Sequence, residues 1–446
     1  MFEKFKDELF AAATAKGFVD YELFYYASDG FSVRVLNGEI SEYKNSSTEG
    51  VGFRGTYNGK MGYSYTEKLD ANLIPQLIEN AAENAMIIEE EDVEKLYPGD
   101  EKYPECKNHN PSLNNFDATK KIQMALDMES YALSLDARVK MADYCTVSNS
   151  ESTMNLANSH GLNLSDKWNM GNAFLVARVE ENGITKSGYD FWEGRDFSQF
   201  DYKKLAQKAV KTALSYLGAK SINTGDYPVI FDNNTTRDVF EAFCGIFMAE
   251  SGQKGFSLLN KSKIGETIAA PHINLRDDGI TEHSLRNIGF DSEGVATKQK
   301  AIIENGILKT LLYNTKAAAK DGVKSTGNAS KQGFGGAIGT SVNNMYLVPG
   351  ETSFDDMVKG LDKGVIITEL AGMHSGSNAV SGDFSFSADG FLIENGKITK
   401  PIEQITVAGN FFGLLKSITI VGNDLRFQGQ MGMPSILVEN LSIAGL

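Results

Sequence analysis

The chain has 446 residues, 41% of them hydrophobic, which exceeds one ordinary core and points to two or three domains. Its net charge of −15, from 58 acidic against 43 basic side chains, leaves no basic stripe for phosphates and argues against direct nucleic-acid binding. Cys106, Cys145 and Cys244 are too scattered for a disulfide framework, the opening Met1-Phe2-Glu3-Lys4-Phe5-Lys6-Asp7 has no basic head before an apolar run, and no stretch reaches about 18 apolar residues, so the expected setting is cytoplasmic and away from membranes.

Phe2, Phe5, Leu9 and Ala13 share one face of a predicted helix that stops at Gly17. Strands are expected over 21–27, 31–36, 50–57 and 60–66, then a helix over 71–85 with Leu73, Leu77, Ile78 and Ala81 inward. Residues 1–95 thus read as a compact α+β unit. The acidic run Glu89-Glu90-Glu91-Asp92, followed by Pro98, Pro104 and Pro111, makes 89–115 the best linker candidate.

A second unit, 96–222, opens with a helix capped by Asp117, whose inward face carries Ile122, Ala125, Met128, Ala132 and Leu135. Strands over 139–144, 153–157, 173–180 and 184–190 follow, then a helix over 202–217 that ends at Gly218. The third unit, 223–446, is the largest and most β-rich. It begins with the strand Tyr227 to Phe231 and a helix through Val239, Phe240, Phe243 and Phe247 that Thr235-Thr236 can cap. A short helix over 354–361 after a Ser353 cap interrupts its strands. Five Asn-Gly pairs, at 37–38, 58–59, 182–183, 305–306 and 395–396, suit two-residue hairpins and argue for antiparallel sheet. The fold class is therefore α+β, with helix-flanked sheet units followed by a β-rich domain.

Between Gly372 and Asn410, Phe384, Phe386 and Ala388 alternate with Ser385, Ser387 and Asp389, and Asn395-Gly396 turns the chain into a return strand. Gly289-Phe290-Asp291-Ser292-Glu293-Gly294, Ile303 to Lys309, Ser325-Thr326-Gly327-Asn328 and Ile418 to Leu425 are equally particular. Together, in this order, they resemble the TldD/PmbA family, especially its PmbA or TldE branch, from about Gly225 to Leu446. The resemblance implies a cytoplasmic proteolytic system of two related subunits. TldD carries a helical His-Glu-x-x-x-His motif and a late cysteine that bind a catalytic metal, and TldE or PmbA lacks them. The family is also linked, by name, to modulation of DNA gyrase.

Metal hydrolysis needs imidazole or thiolate ligands on one point and a carboxylate beside the metal-bound water. The resemblance places Phe240-Glu241-Ala242-Phe243-Cys244-Gly245 at the family's motif. Phe240 and Gly245 then replace the two histidines, Glu241 keeps the place of the general base, and the tail Arg426 to Met433 has no thiol. No catalytic residue and no metal or other cofactor is expected in this chain; the metal is expected in a TldD-like partner. His374, Ser375, Gly376 and Asn378 form a glycine-permitted loop that could meet a peptide substrate or a partner subunit. The chain would then be a non-metal-binding subunit supporting a TldD-like protein in cleaving peptides or unfolded segments, as a heterodimer or as a homodimer of its own. Two other readings stay open. One is a self-associating modulator of a gyrase-type target, without proteolysis. The other is a stand-alone hydrolase using Cys244 with His374, or a relocated metal at His272 and His283, against which Asp277, Asp278 and Glu282 suggest a solvated loop. The glycine-rich stretch Ser330 to Gly336 lacks the spacing of a nucleotide loop and is either a substrate-facing loop or a mobile connection.

Overall fold

The computed structural model describes residues 2–87 and 95–446, so the acidic run Glu89-Glu90-Glu91-Asp92 lies outside the described residues. Phe5, Leu9 and Ala13 are the buried face of α1 (Phe2–Lys16), which ends where Gly17 adopts φ +102°. Strands β1 (Tyr21–Leu36), β2 (Glu39–Tyr57) and β3 (Lys60–Thr66) follow, then α2 (Ile74–Ile87). The middle part contains α3 (Pro111–Asn114), α4 (Ala118–Ser134), β4 (Val139–Asn158), β5 (Asn163–Glu181), β6 (Ile184–Gly194) and α5 (Tyr202–Ser215). As the sequence suggests, Asp117 caps α4, its carboxylate accepting the Lys120 N–H at 3.1 Å.

Several expected strands prove to be pieces of longer ones. Residues 21–27 and 31–36 are one strand, β1, and 139–144 and 153–157 are one strand, β4. Ser28-Asp29-Gly30 carry no apolar alternation, and after Cys145 and Val147 neither do Ser148 to Ser152, yet both stretches stay paired in the β1–β4 ladder, whose bonds need no apolar side chain. β1 pairs antiparallel with β2 on one side and with β4 on the other, from Glu22 opposite Asn158 to Val35 opposite Cys145. The resulting six-stranded order is β3-β2-β1-β4-β5-β6, two three-stranded meanders joined through their first strands.

Alternation along β1 separates the two faces of this sheet. Leu23, Phe31, Val33 and Val35 face the helices, packing with α1 and α2 at one end and with α4 and α5 at the other. Glu22, Phe24 and Tyr26 face the opposite way; Phe24 packs with Leu156 and Leu162, against which Phe334 of the C-terminal domain also packs.

That domain contains two further six-stranded sheets. β7 (Gly225–Phe231) lies at the centre of one, parallel to Lys363–Ala371 and antiparallel to Ile436–Ala444. The other contains Leu275–Asp277, Ala301–Glu304 and Met345–Leu347. One continuous core joins both sheets with α6 (Asn233–Phe243), drawing on Val229, Phe231, Phe240, Phe243, Leu275, Ile303, Leu347 and Phe386. The other face of β7 is closed by Met357 and Val358 of the short helix Phe354–Lys359, which starts at the expected Ser353 cap. All five Asn-Gly pairs turn hairpins, with both residues at positive φ.

Beside the apolar contact of Phe334, the seam between the first sheet and the C-terminal domain carries ion pairs. Arg54 on β2 donates from Nε to Glu22 at 2.8 Å and lies 4.0 Å from Glu293. Arg286 meets Asp166 at 2.8 Å, Arg426 meets Asp190 at 3.3 Å, and Lys186 on β6 pairs with Glu403. The glycine-rich stretch joins the same seam. It is the tip of a hairpin, Ala329–Lys331 with Ile338–Thr340, that lies on β2. A Cβ at Gly52 would meet the Phe334 carbonyl oxygen at 2.1 Å and one at Gly50 would meet the Phe334 ring at 2.6 Å, so both positions need glycine for the hairpin to seat.

Candidate functional site

α6 begins immediately after β7. Its cap is Asp232 rather than Thr235-Thr236: the Asp232 carboxylate accepts the Thr235 N–H at 2.8 Å, and the two threonines lie inside the helix. The helix starts earlier than a Thr235-Thr236 cap would have it, at Asn233, so the residue whose side chain can reach the first free N–H groups is Asp232. Past Phe243 the chain tightens into a single 3-10 turn, Cys244–Phe247.

Phe240 and Gly245 have opposite surroundings. Phe240 is fully buried, its ring edge-on to Phe411 at 5.4 Å, and Phe243 stacks on the other side of the same cluster, 4.7 Å from Phe411. Gly245 is exposed, and a Cβ there would meet nothing within 4 Å. Glu241 points to solvent, 61% exposed, with Arg237 at 3.5 Å. The Cys244 thiol is pushed above its ordinary pKa by burial and, secondarily, by Glu241, which keeps it protonated and unreactive at neutral pH. The residues at 240 and 245 offer no donor atom to a metal, and among the described residues no three His, Cys, Asp or Glu side chains are grouped to hold one.

The loop carrying His374 lies beside α6. Gly372, at φ +82°, starts the short helix Met373–Gly376, which contacts α6 and the strand Asp383–Glu394. His374, Ser375 and Asn378 are exposed, whereas Gly376 is seated against that strand: a Cβ on it would meet the Ser385 carbonyl oxygen at 2.2 Å. Asn378 organises the turn that follows. Its side-chain oxygen accepts the Val380 N–H at 3.0 Å and the Ser381 N–H at 3.2 Å, and its carbonyl accepts the Gly382 N–H at 2.8 Å. The loop is thus a shaped, self-supported surface next to α6, with the His374 ring on its outside.

One cluster was illegible in the sequence. Asp232 follows the end of β7, Glu369 and Asp389 face each other across the neighbouring strands Lys363–Ala371 and Asp383–Glu394, and the three come together near Lys186 of β6. Burial raises the Asp232 pKa to about 6 in spite of its two bonds from Thr235. Burial, with Asp389 and Asp232 nearby, raises Glu369 to about 7, opposed only in part by Lys186. A carboxyl poised near neutrality can gain or lose a proton within the physiological range. Its members are far apart in the chain, and no spacing could announce them.

The other histidine pair does not form a site. His283 sits 6.2 Å from the Tyr346 ring and within 3.9 Å of Glu282, while His272 is exposed on its own. The acidic neighbours expected to form a solvated loop are divided: Glu282 is exposed, but Asp277 and Asp278 are fully buried. Asp277 is held by Lys300 at 3.0 Å, the Asn343 N–H at 2.7 Å and the Asn328 amide at 2.7 Å, and Asp278 accepts from the Tyr346 hydroxyl at 2.8 Å. Satisfied donors let these carboxylates leave water, which composition alone did not suggest.

This three-part α+β scaffold is that of a metallopeptidase class. Residues 21–86 match the model of PmbA/TldA metallopeptidase domain 1, 111–217 the central domain, and 224–445 the C-terminal domain. The chain belongs to the PmbA/TldD family. It is 29% identical over 328 residues to the metalloprotease PmbA of Escherichia coli O157:H7, covering 73% of this chain and 69% of that one. It overlays the crystal structure of a "putative modulator of a DNA gyrase" from Thermotoga maritima MSB8 with a TM-score of 0.90 at 33% identity, covering 100% of both chains. TldE from Thermococcus kodakarensis superposes with a TM-score of 0.90 at 25% identity, covering 99% of this chain and 100% of that one. Among the described residues, no helix is long and apolar enough to cross a membrane.

Proposed function

We propose that this chain is a TldE/PmbA-like subunit that binds no metal and supports peptide cleavage by a TldD-like partner in the cytoplasm. The observation that carries the reading is the buried phenyl ring of Phe240, packed on Phe411 at the place where the family's metal-binding helix would present its first ligand. A hydrocarbon side chain there fills the space, and Gly245 leaves the second position without a side chain. Glu241, exposed and paired with Arg237, has no activated water to deprotonate. What remains for this chain is to present a surface. The His374 loop beside α6, with exposed His374, Ser375 and Asn378, is the part of that surface that a peptide or partner would meet.

The test is metal analysis of the purified chain, with peptidase assays on unfolded substrate alone and after addition of a TldD-like chain. Stoichiometric metal should be absent and cleavage should appear only with the partner. Chelator-sensitive cleavage by this chain alone would overturn the reading. A pull-down that recovers topoisomerase subunits and no TldD-like chain would replace it with the modulator reading.

A further inference from the structure

A cavity of about 650 Å³ opens between β3, α2 and the tip of the glycine-rich hairpin, with Tyr65, Glu83, Asn84, Lys331 and Phe334 in its walls. Lys331 is the unusual member. Its side chain runs beneath the hairpin onto the sheet face that carries Glu22 and Phe24. Nζ lies 4.8 Å from the centre of the Phe24 ring and would stand 2.8 Å from a Cβ at Gly52. The neighbouring cation, Arg54, has Glu22 and Glu293 as its counter-charges. Among the described residues, no oxygen is hydrogen-bonded to the Lys331 ammonium. Burial lowers its pKa to about 8, Glu22 opposing the shift and Arg54 adding to it. A cation drawn this far from water without a bonded partner is costly, and the cavity is the route by which a counter-charge can reach it.

The remaining walls offer different chemistry. Asn84 donates from its amide to the Tyr63 carbonyl at 2.7 Å, which leaves its side-chain oxygen as an acceptor, and exposed Glu83 is a second acceptor. The Tyr65 and Phe334 rings, with centroids 6.0 Å apart, form an apolar wall. We propose that the cavity takes the C-terminal end of a peptide, its carboxylate on Lys331, its last side chain against Tyr65 and Phe334, and its amide N–H groups toward Asn84 and Glu83. A single negative charge matches the single lysine. A phosphate group would bring up to two charges past Glu83 and no N–H donor for the acceptors. The cavity shares no residue with α6 or the His374 loop and needs no partner chain, so this site and the subunit role can fail separately.

Calorimetric titration of the full chain with N-acetylglycylphenylalanine and with its C-terminal amide tests the proposal without any substitution. The free acid should bind at least about tenfold more tightly than the amide. Lys331→Met, which keeps the length of the side chain and removes its charge, should bring the acid down to the affinity of the amide. The comparison of the two ligands on the wild type stands however that variant folds. Equal affinity for acid and amide, undiminished binding of the acid by Lys331→Met, displacement of the acid by an equal concentration of inorganic phosphate, or no saturable binding up to about 10 mM would each overturn the proposal.

Discussion

The interior around α6 and the seam along β6 adjoin, and they are made of opposite materials. Past the buried Thr235 and Thr236 of its first turn, the core face of α6 is hydrocarbon, Val239, Phe240 and Phe243 against Phe384 and Phe411. At the seam the buried and half-buried groups are carboxyls and cations: Asp232, Glu369 and Asp389, with Lys186 paired to Glu403. The contrast teaches where this fold keeps its ionisable chemistry. The core face of α6 is packed like an ordinary interior, while Asp232, Glu369 and Asp389, whose proton affinity burial raises, lie near β6 of the first sheet. The same division holds farther along that sheet, where Arg54 is buried between Glu22 and Glu293.

The largest expected effect breaks the hydrocarbon side. Phe240→Ala removes a fully buried ring from between helix and sheet and should cost about 3–5 kcal/mol, read by chemical denaturation. A loss below about 1 kcal/mol would mean that the site is loosely packed and that its comparison with an ordinary core fails.

The seam should respond to pH instead. Glu369 has its folded pKa raised to about 7 from 4.5, so the folded state holds a proton that the unfolded state has released. Its contribution is therefore favourable at low pH and is lost as pH rises through about 7. Glu369→Gln, neutral at every pH, should stabilise the protein by about 1–2 kcal/mol near pH 8, after allowance for solvent screening, and by little near pH 4. Thermal melts of both forms across that range check it; a constant difference would remove the burial argument.

The smallest effect belongs to the exposed face of α6. Glu241→Gln should change stability by no more than about 0.5 kcal/mol and leave the proposed partner-dependent cleavage unchanged, since only a weak pair with Arg237 is lost. A marked fall in that cleavage would assign Glu241 a part in the reaction.

Much of this protein was determined by its sequence alone. The hairpins are local: Asn-Gly supplies positive φ at both central residues wherever it occurs, so five turns could be placed without a neighbour in view. Helices with a strong apolar face, such as α1 and α4, were legible for the same reason. The tertiary structure decided what depends on distant segments. It joined two apparent units through β1 and β4, because ladder bonds form between backbones whatever their side chains. It moved the α6 cap to Asp232 and buried Asp277 and Asp278 among donors from elsewhere in the chain. It also gathered Asp232, Glu369 and Asp389 at one seam. Burial and proton affinity are set by everything that surrounds a group, and for these carboxyls nearly all of that comes from far along the chain.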